Sequence, residues 1–256
     1  MPKLIKLEKT SDHVATLIIN RPEVRNALSW EAMEQFSQVI ETASETADLR
    51  ALIITGGPQA FCAGGDLYDL HKTNSRQDGV RLSRIMGEAL NRLARLPYPT
   101  IAAIEGPAMG GGAEIALACD LRIVAESARI GLMHVRLAIS TAWGGGPRLV
   151  ECVGYARALE WQTRGTVLDG RQAYESGLAS AIVPDGGALQ EAHTIAGEIA
   201  SNDPATVQGI KQILAATKRS GVAEGARVER QLFPELWAAP AHLAASDRFV
   251  NRSKDG

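Results

Sequence analysis

Two rhythms of apolar and polar positions alternate along this chain, and the places where one gives way to the other predict its elements. A short apolar run rich in β-branched residues over 14–20 ends at Arg21-Pro22 and predicts a strand closed by a loop. Ser29 then stands where an N-cap belongs, and Met33, Phe36, Ile40 and Ala43 recur at three- and four-residue intervals, which predicts one buried helical face over about four turns. Strand character returns at 52–55 and breaks at Gly56-Gly57-Pro58. A second amphipathic helix carries Leu82, Ile85, Met86, Ala89, Leu93 and Leu96 on one side and stops where Pro97 and Pro99 forbid continuation.

The second half repeats the scheme. Residues 100–105 predict a strand, 106–112 a glycine-rich turn and 114–119 a helix. Further strands are expected at 121–124 and 179–183, and helices at 155–162 and 188–201. Beyond Asp203-Pro204 the strand signals cease, and 205–250 reads as helices with an apolar-aromatic stretch around Leu232, Phe233, Leu236 and Trp237. Strands alternating with helices give an α/β class, with a helical subdomain from about residue 201 and a core over 1–200.

Composition narrows the function classes. A chain of 256 residues with a formal net charge of −2 has no broad pull toward a phosphate backbone or an anionic membrane, so neither nucleic acid nor membrane is expected as a partner. Cys62, Cys119 and Cys152 are odd in number and lack C-x-x-C spacing, which argues against a disulfide framework or a thiolate metal site and fits a reducing compartment. The first nine residues lack the features of a leader, and no apolar run approaches the roughly 20 residues of a membrane span. The cytoplasm is therefore the expected location.

The most informative stretch is Gly106-Pro107-Ala108-Met109-Gly110-Gly111-Gly112-Ala113-Glu114. Glycines before a helix let a ligand approach the backbone, and the unpaired N–H groups of a helix start point outward as donors for an anion or oxyanion. No Lys-Ser or Lys-Thr follows, and the spacing does not match the dinucleotide fingerprint, which removes the nucleotide readings. A second such turn, Phe61-Cys62-Ala63-Gly64-Gly65-Asp66-Leu67, follows the strand at 52–55. Two turns of this kind can hold one oxygen between them.

Taken in order, these two segments, together with Asn20-Arg21-Pro22, Arg25-Asn26-Ala27-Leu28, Gly170-Arg171-Gln172-Ala173 and the final Phe249-Val250-Asn251-Arg252, resemble the crotonase (enoyl-CoA hydratase/isomerase) superfamily over nearly the whole chain. That resemblance implies a spiral of ββα turns with a helical C-terminal part, over 201–256, that assembles homotrimers or dimers of trimers. It implies an acyl-CoA thioester as substrate, in fatty acid metabolism or a related route, with coenzyme A entering as part of the substrate and no tightly bound cofactor or metal. The N–H groups of Gly65 and Gly111 would form the oxyanion hole. Arg25, Ala27 and Ala63 would lie along the coenzyme, with Phe233 and Arg252 near its phosphates and pantetheine arm; Phe233 equally fits a core position, and Arg252 an ordinary solvated charge.

Glu114 matches one of the two catalytic glutamates of the family's hydratases, and a carboxylate there can move a proton at the acyl chain. The second falls on His134, a departure from the hydratase pattern. A substrate bearing a free carboxylate would be repelled by a second glutamate by about 3 kcal/mol at roughly 5 Å and an effective dielectric near 20, a cost that a histidine removes. With Trp143-Gly144-Gly145 following, the chain is similar in this respect to the ethylmalonyl-CoA decarboxylase-like branch. Trp143 and Tyr68 are expected to shape the acyl pocket. Three readings follow: a hydratase or isomerase of enoyl-CoA, a decarboxylase of alkylmalonyl-CoA, and a silent relative that only binds the coenzyme.

Overall fold

A computed structural model describes residues 3–252 except 12 and 74, with side chains up to 248. The chain divides into two compact units, Met1–Gly197 and Glu198–Gly256.

The first unit is built on a six-stranded sheet. Its strands are β1 (Ile5–Lys9), β2 (Val14–Ile19), β3 (Ala51–Thr55), β4 (Thr100–Ile104), β6 (Leu121–Ala125) and β9 (Ala181–Val183), in the order β1-β2-β3-β4-β6-β9. Only the β1–β2 pair is antiparallel. Every residue of β3 and β4 is buried, the continuous apolar character that a sheet covered on both faces demands. Helix α1 (Trp30–Glu45) covers it with Met33, Phe36, Ile40 and Ala43, all fully buried, and starts where the Ser29 hydroxyl accepts from Ala32 N–H. Helix α3 (Arg76–Ala94) opens on a reciprocal Ser75/Asp78 capping box and packs on α1.

What makes the architecture a spiral is that the segments after successive sheet strands pair again in a second layer. Leu28, following β2, bridges Gly65; Cys62, following β3, bridges Ala108. Ala108 and Met109 form β5, which pairs with β7 (Arg129–Gly131), and β7 pairs with β8 (Leu168–Asp169). After β4 and β6 the chain thus gives a shorter strand to the small sheet, and after β2 and β3 it gives bridged residues, before the next helix. The loops at the carboxyl ends of β2, β3 and β4 are thereby stitched edge to edge, the location where ligands sit in open α/β sheets.

Two local expectations are corrected, and one strand, β1, has no counterpart among them. Helix α4 (Gly111–Ala118) begins three residues earlier than its apolar pattern suggests and takes Gly111 and Gly112 into its first turn, while β5 occupies part of what reads as turn. The reason is contact: a Cβ on Gly112 would collide with Cys62, so only glycine allows α4 to start this close to the neighbouring turn. Strand β1 is an edge strand whose pattern is diluted by three charged residues. Leu96, expected on the helix, is buried beyond its end.

All of α4 is buried, including its last carbonyls, which need donors. Arg122 supplies them: from β6 its guanidinium donates to Ala116 O and Cys119 O. After α5 (Gly145–Val153), α6 (Tyr155–Arg164), α7 (Gly170–Glu175) and β9 comes α8 (Ala188–Ala200), whose start is capped from a distance, the Glu105 carboxylate accepting from Gly186, Ala188 and Leu189 N–H.

The second unit holds α9 (Pro204–Ser220), α10 (Val222–Ala238) and α11 (Pro240–Arg252). Asp203 caps α9 and Pro204 occupies its first turn, as the sequence signals. Helices α9 and α10 approach closely at Gly209, which faces Leu232 and Leu236, and at Gly225, which faces Thr217. Leu214, Phe233, Trp237 and Leu243 of this unit are more than half exposed. No described helix is long and apolar enough to cross a membrane.

Candidate active site

The two glycine turns meet. In the first, which leads from β3 into the single-turn helix α2 (Leu67–Leu70), nearly every amide is used. Cys62 N–H donates to Pro107 O, Ala63 N–H to Arg25 O, Gly64 N–H to Cys62 Sγ, and Asp66 N–H to Leu28 O. Gly65 is the exception. In its parallel bridge with Leu28 the ladder bonds run through Gly64 O and Asp66 N–H, so the Gly65 N–H is turned the other way and has no protein acceptor among the described residues. In the second turn Gly110, with φ +53°, donates to Gly131 O, and Gly111 opens α4, where an N–H has no intrahelical partner. A Cβ on Gly64 would stand 3.0 Å from Gly111 N, so the turns are in van der Waals contact.

Gly65 and Gly111 both line a cavity of about 270 Å³ within the first unit. Its walls are mostly apolar, with Leu67, Leu70, Leu82, Met109, Ile139 and Trp143 among them. Two of these press on the glycines: a Cβ at Gly65 would come 2.6 Å from Leu70 Cδ1, and one at Gly111 would enter the Trp143 ring, 2.9 Å from Cε3. Glycine is needed at both positions because a wall side chain fills the space of the missing one.

Glu114 brings charge into this apolar setting. It sits in the first turn of α4 and is 1% exposed. One carboxylate oxygen, Oε1, accepts from Trp143 N–H and from Gly145 N–H, both at 2.9 Å. The other, Oε2, lies 3.1 Å from Nε2 of His134, which stands at the head of the short 3-10 turn His134–Leu137 and also lines the cavity. His134 Nδ1 is buried with no hydrogen-bond partner among the described residues. Two main-chain donors orient the carboxylate through Oε1, and its other oxygen faces an imidazole nitrogen on the cavity wall. Such a pair can take a proton from, or give one to, a group bound beside it.

The remaining expected residues fall as follows. Ala63 lines the cavity, and Ala27, buried, and Arg25, exposed with φ +53°, belong to the loop bonded to it through Arg25 O. Tyr68 is not on the wall: it is 92% exposed, because Leu67 and Leu70 take the inward side of the single turn α2 and leave the position between them to solvent. Phe233 belongs to the second unit and is not a core residue there; it is 57% exposed and packs against Trp237 with ring centroids 5.6 Å apart. The side chain of Arg252 lies outside the described residues. Among the described residues no group of three or more His, Cys, Asp or Glu is placed to hold a metal. Cys62, beside Gly64, is no nucleophile, since burial pushes its thiol up to about 12.

Four contributors escaped sequence reasoning. Asn26, buried and with φ +59°, accepts from Arg21 N–H and donates to Gly56 O and Ala60 O, both at 2.7 Å, tying the loop after β2 to the turn after β3. The Arg21 guanidinium holds Asp66 at 3.0 Å next to Gly65 and also donates to Ala27 O. Gly145 leaves room for the Glu114 side chain, and Arg148 backs the turn that grips it. The Asn20-Arg21-Pro22 and Arg25-Asn26-Ala27-Leu28 segments and the Trp143-Gly144-Gly145 run were visible as motifs, but the contacts these residues make were not.

The family model for enoyl-CoA hydratase/isomerase matches residues 9–255. Ethylmalonyl-CoA decarboxylase of Mus musculus is 32% identical over 244 residues, which are 94% of this chain and 76% of that protein. Its counterpart in Gallus gallus is 30% identical over 247 residues, 95% of this chain and 83% of that one. Among solved structures, an enoyl-CoA hydratase from Bacillus anthracis superposes with a TM-score of 0.92 at 34% identity, covering 97% of this chain and 96% of that one. With pattern and fold shared from end to end, this chain belongs to the enoyl-CoA hydratase/isomerase family.

Proposed function

We propose that this acyl-CoA enzyme works through a thioester enolate, and that among the family's reactions the decarboxylation of an alkylmalonyl-CoA suits its site best. The observation that carries the choice is the partner of Glu114: its free oxygen faces the His134 imidazole at 3.1 Å, where the hydratases of the family have a second carboxylate. An enzyme that adds water to an enoyl thioester orients that water between two carboxylates. Decarboxylation needs no bound water, and it brings a substrate carboxylate that a second glutamate would repel.

In this reading the thioester oxygen sits between the N–H groups of Gly65 and Gly111. The bond from Cα to the substrate carboxylate breaks, CO2 leaves, and the electron pair passes into the enolate, whose negative oxygen the two amides stabilise. Each preorganised donor of this kind is worth about 10² to 10³ in rate. The Glu114–His134 pair delivers one proton to Cα and recovers it from solvent, leaving the saturated acyl-CoA. The apolar walls exclude water that would weaken the amide–oxyanion bonds. Coenzyme A enters only as part of the substrate, along Arg25, Ala27 and Ala63.

Hydration or isomerisation of an enoyl-CoA is the second reading, supported by Glu114 at the position of a family catalytic glutamate. Incubation with ethylmalonyl-CoA and with crotonyl-CoA separates the two. Release of CO2 and butyryl-CoA from the first is expected; turnover of crotonyl-CoA alone would overturn the decarboxylase reading, and turnover of neither would favour a silent coenzyme-binding relative. We further propose a cytoplasmic homotrimer or dimer of trimers, with the helical segment 201–256 assembling it through apolar side chains such as Leu214 and Trp237, which are 63% and 58% exposed. A monomer in sedimentation equilibrium would remove that claim.

A further inference from the structure

The carboxylate of Glu114 is gripped by a turn, and the turn is gripped in its own right. Trp143 N–H and Gly145 N–H converge on Oε1, and the three-residue turn that carries them has further bonds of its own. Gly144, between them, has φ +92°, and α5 starts there without any side-chain cap. The carbonyls of the turn point away from Glu114, and both end on one residue. Gly144 O accepts from the backbone N–H of Arg148 at 3.4 Å. Trp143 O accepts from Arg148 Nη1 at 2.9 Å.

Peptide planarity links the two sides. The carbonyl of Gly144 and the N–H of Gly145 belong to one rigid trans plane, so a carbonyl fixed toward Arg148 aims the N–H at Glu114. The neighbouring plane, that of Trp143 O, is set by the guanidinium. The guanidinium is itself anchored at its other end, Nη2 donating to Asn91 Oδ1 on α3 at 2.8 Å. A Cβ on Gly144 would stand 2.5 Å from Nη1, so the turn is packed directly on the arginine. Burial draws Arg148 down from the usual arginine range, and the nearby Glu114 acts in the opposite sense.

We propose that Arg148 is the positioning residue of Glu114: anchored on Asn91, it holds the Trp143–Gly145 turn in the one shape that presents two amides to the carboxylate and leaves Oε2 to His134. Arg148 does not itself line the cavity and makes no hydrogen bond to Glu114; it reaches the site through the main chain of Trp143, a wall residue. The catalytic consequence rests on the reading that Glu114 moves the proton; the structural consequence does not.

The test uses the full-length protein. Arg148→Met keeps the stem and removes charge and donors; Arg148→Lys keeps the charge and one donor. With whichever thioester the wild type turns over, Arg148→Met is expected to lower kcat by about 10- to 100-fold, the scale of a displacement near 1 Å, with KM and the affinity for free coenzyme A changed by less than about threefold. Arg148→Lys restores at least part of kcat. A general loss of folding would lower coenzyme affinity and kcat together without rescue by lysine, and would overturn the proposal. A crystal structure of Arg148→Met is the readout independent of turnover. Loss or lengthening of the Trp143 or Gly145 bond to Oε1 is expected, and both bonds intact at 2.9 Å would refute the positioning role even if no thioester substrate were found.

Discussion

Gly145→Ala places a methyl group against the residue on which the chemistry depends. The new Cβ would stand 2.9 Å from Glu114 Oε1 and 3.1 Å from Cδ, and closer still to Cγ, whereas non-bonded carbons settle near 3.5–4.0 Å. Either the carboxylate or the turn must retreat by roughly 1 Å. The amide bonds to Oε1 start at 2.9 Å, and a retreat of that size takes them past the limit of about 3.2 Å for a good N–H···O bond. Overpacking a buried site costs about 1–3 kcal/mol, and leaving a buried carboxylate short of donors adds a further 1–3 kcal/mol or so. For a chain of this size each kcal/mol lowers Tm by roughly 2–4 °C. The expected variant folds, melts several degrees earlier, and loses about 10²-fold in kcat because its carboxylate is displaced. Differential scanning fluorimetry and steady-state kinetics well below Tm measure both. Gly197→Ala, whose Cβ meets nothing within 4 Å, is the control and should retain wild-type turnover. A folded Gly145→Ala enzyme with kcat within threefold of wild type would refute the reasoning.

Other consequences follow from the same geometry. In Glu114→Gln the amide oxygen still accepts from Trp143 and Gly145, and its NH2 can donate to His134 Nε2 if the imidazole carries its hydrogen on the now partnerless Nδ1. Stability should therefore change little while turnover falls by about 10² to 10⁴; unchanged turnover in the kinetic assay would show that Glu114 is not the acid/base. Asn26→Ala leaves Gly56 O and Ala60 O without their donor and puts alanine at φ +59°, so a denaturant melt should show a loss of about 3 kcal/mol, and a loss under 1 kcal/mol would contradict the account. Burial raises both Cys62, from 9.0 to about 12, and Tyr98, whose hydroxyl donates to Ala43 O, from 10.0 to about 12. The unfolded chain therefore holds fewer protons than the folded one between pH 9 and 12, and stability falls as pH rises through that window. Urea midpoints should decline from pH 9 upward, less steeply above pH 10 in Tyr98→Phe, and a flat profile would count against it.

What could be read in the sequence was what periodicity and turn chemistry write locally. The inward face of α1 and the glycine turns around Gly65 and Gly111 are of that kind, because a helix face repeats every three or four residues and a helix start needs particular residues nearby. The pieces of the small sheet, two or three residues each, are too short for any rhythm to show. Helix α5 was hidden by opening on two glycines and a proline. Tyr68 was placed in the pocket although its neighbours Leu67 and Leu70 line it, since sequence locates the turn but not which way it faces. Gly145, Arg148 and Asn26 act through partners that lie 31, 57 and 30 residues away in the chain, and nothing local announces such contacts.

The central claim is that two amides, one from each glycine turn, grasp a single thioester oxygen beside Glu114. A crystal structure with a non-hydrolysable acyl-CoA analogue measures this directly. The account predicts the carbonyl oxygen at about 2.7–3.1 Å from both Gly65 N and Gly111 N, with Cα facing the Glu114–His134 pair. An analogue seated in the cavity with its carbonyl oxygen on neither amide, or with Cα turned away from that pair, would contradict it.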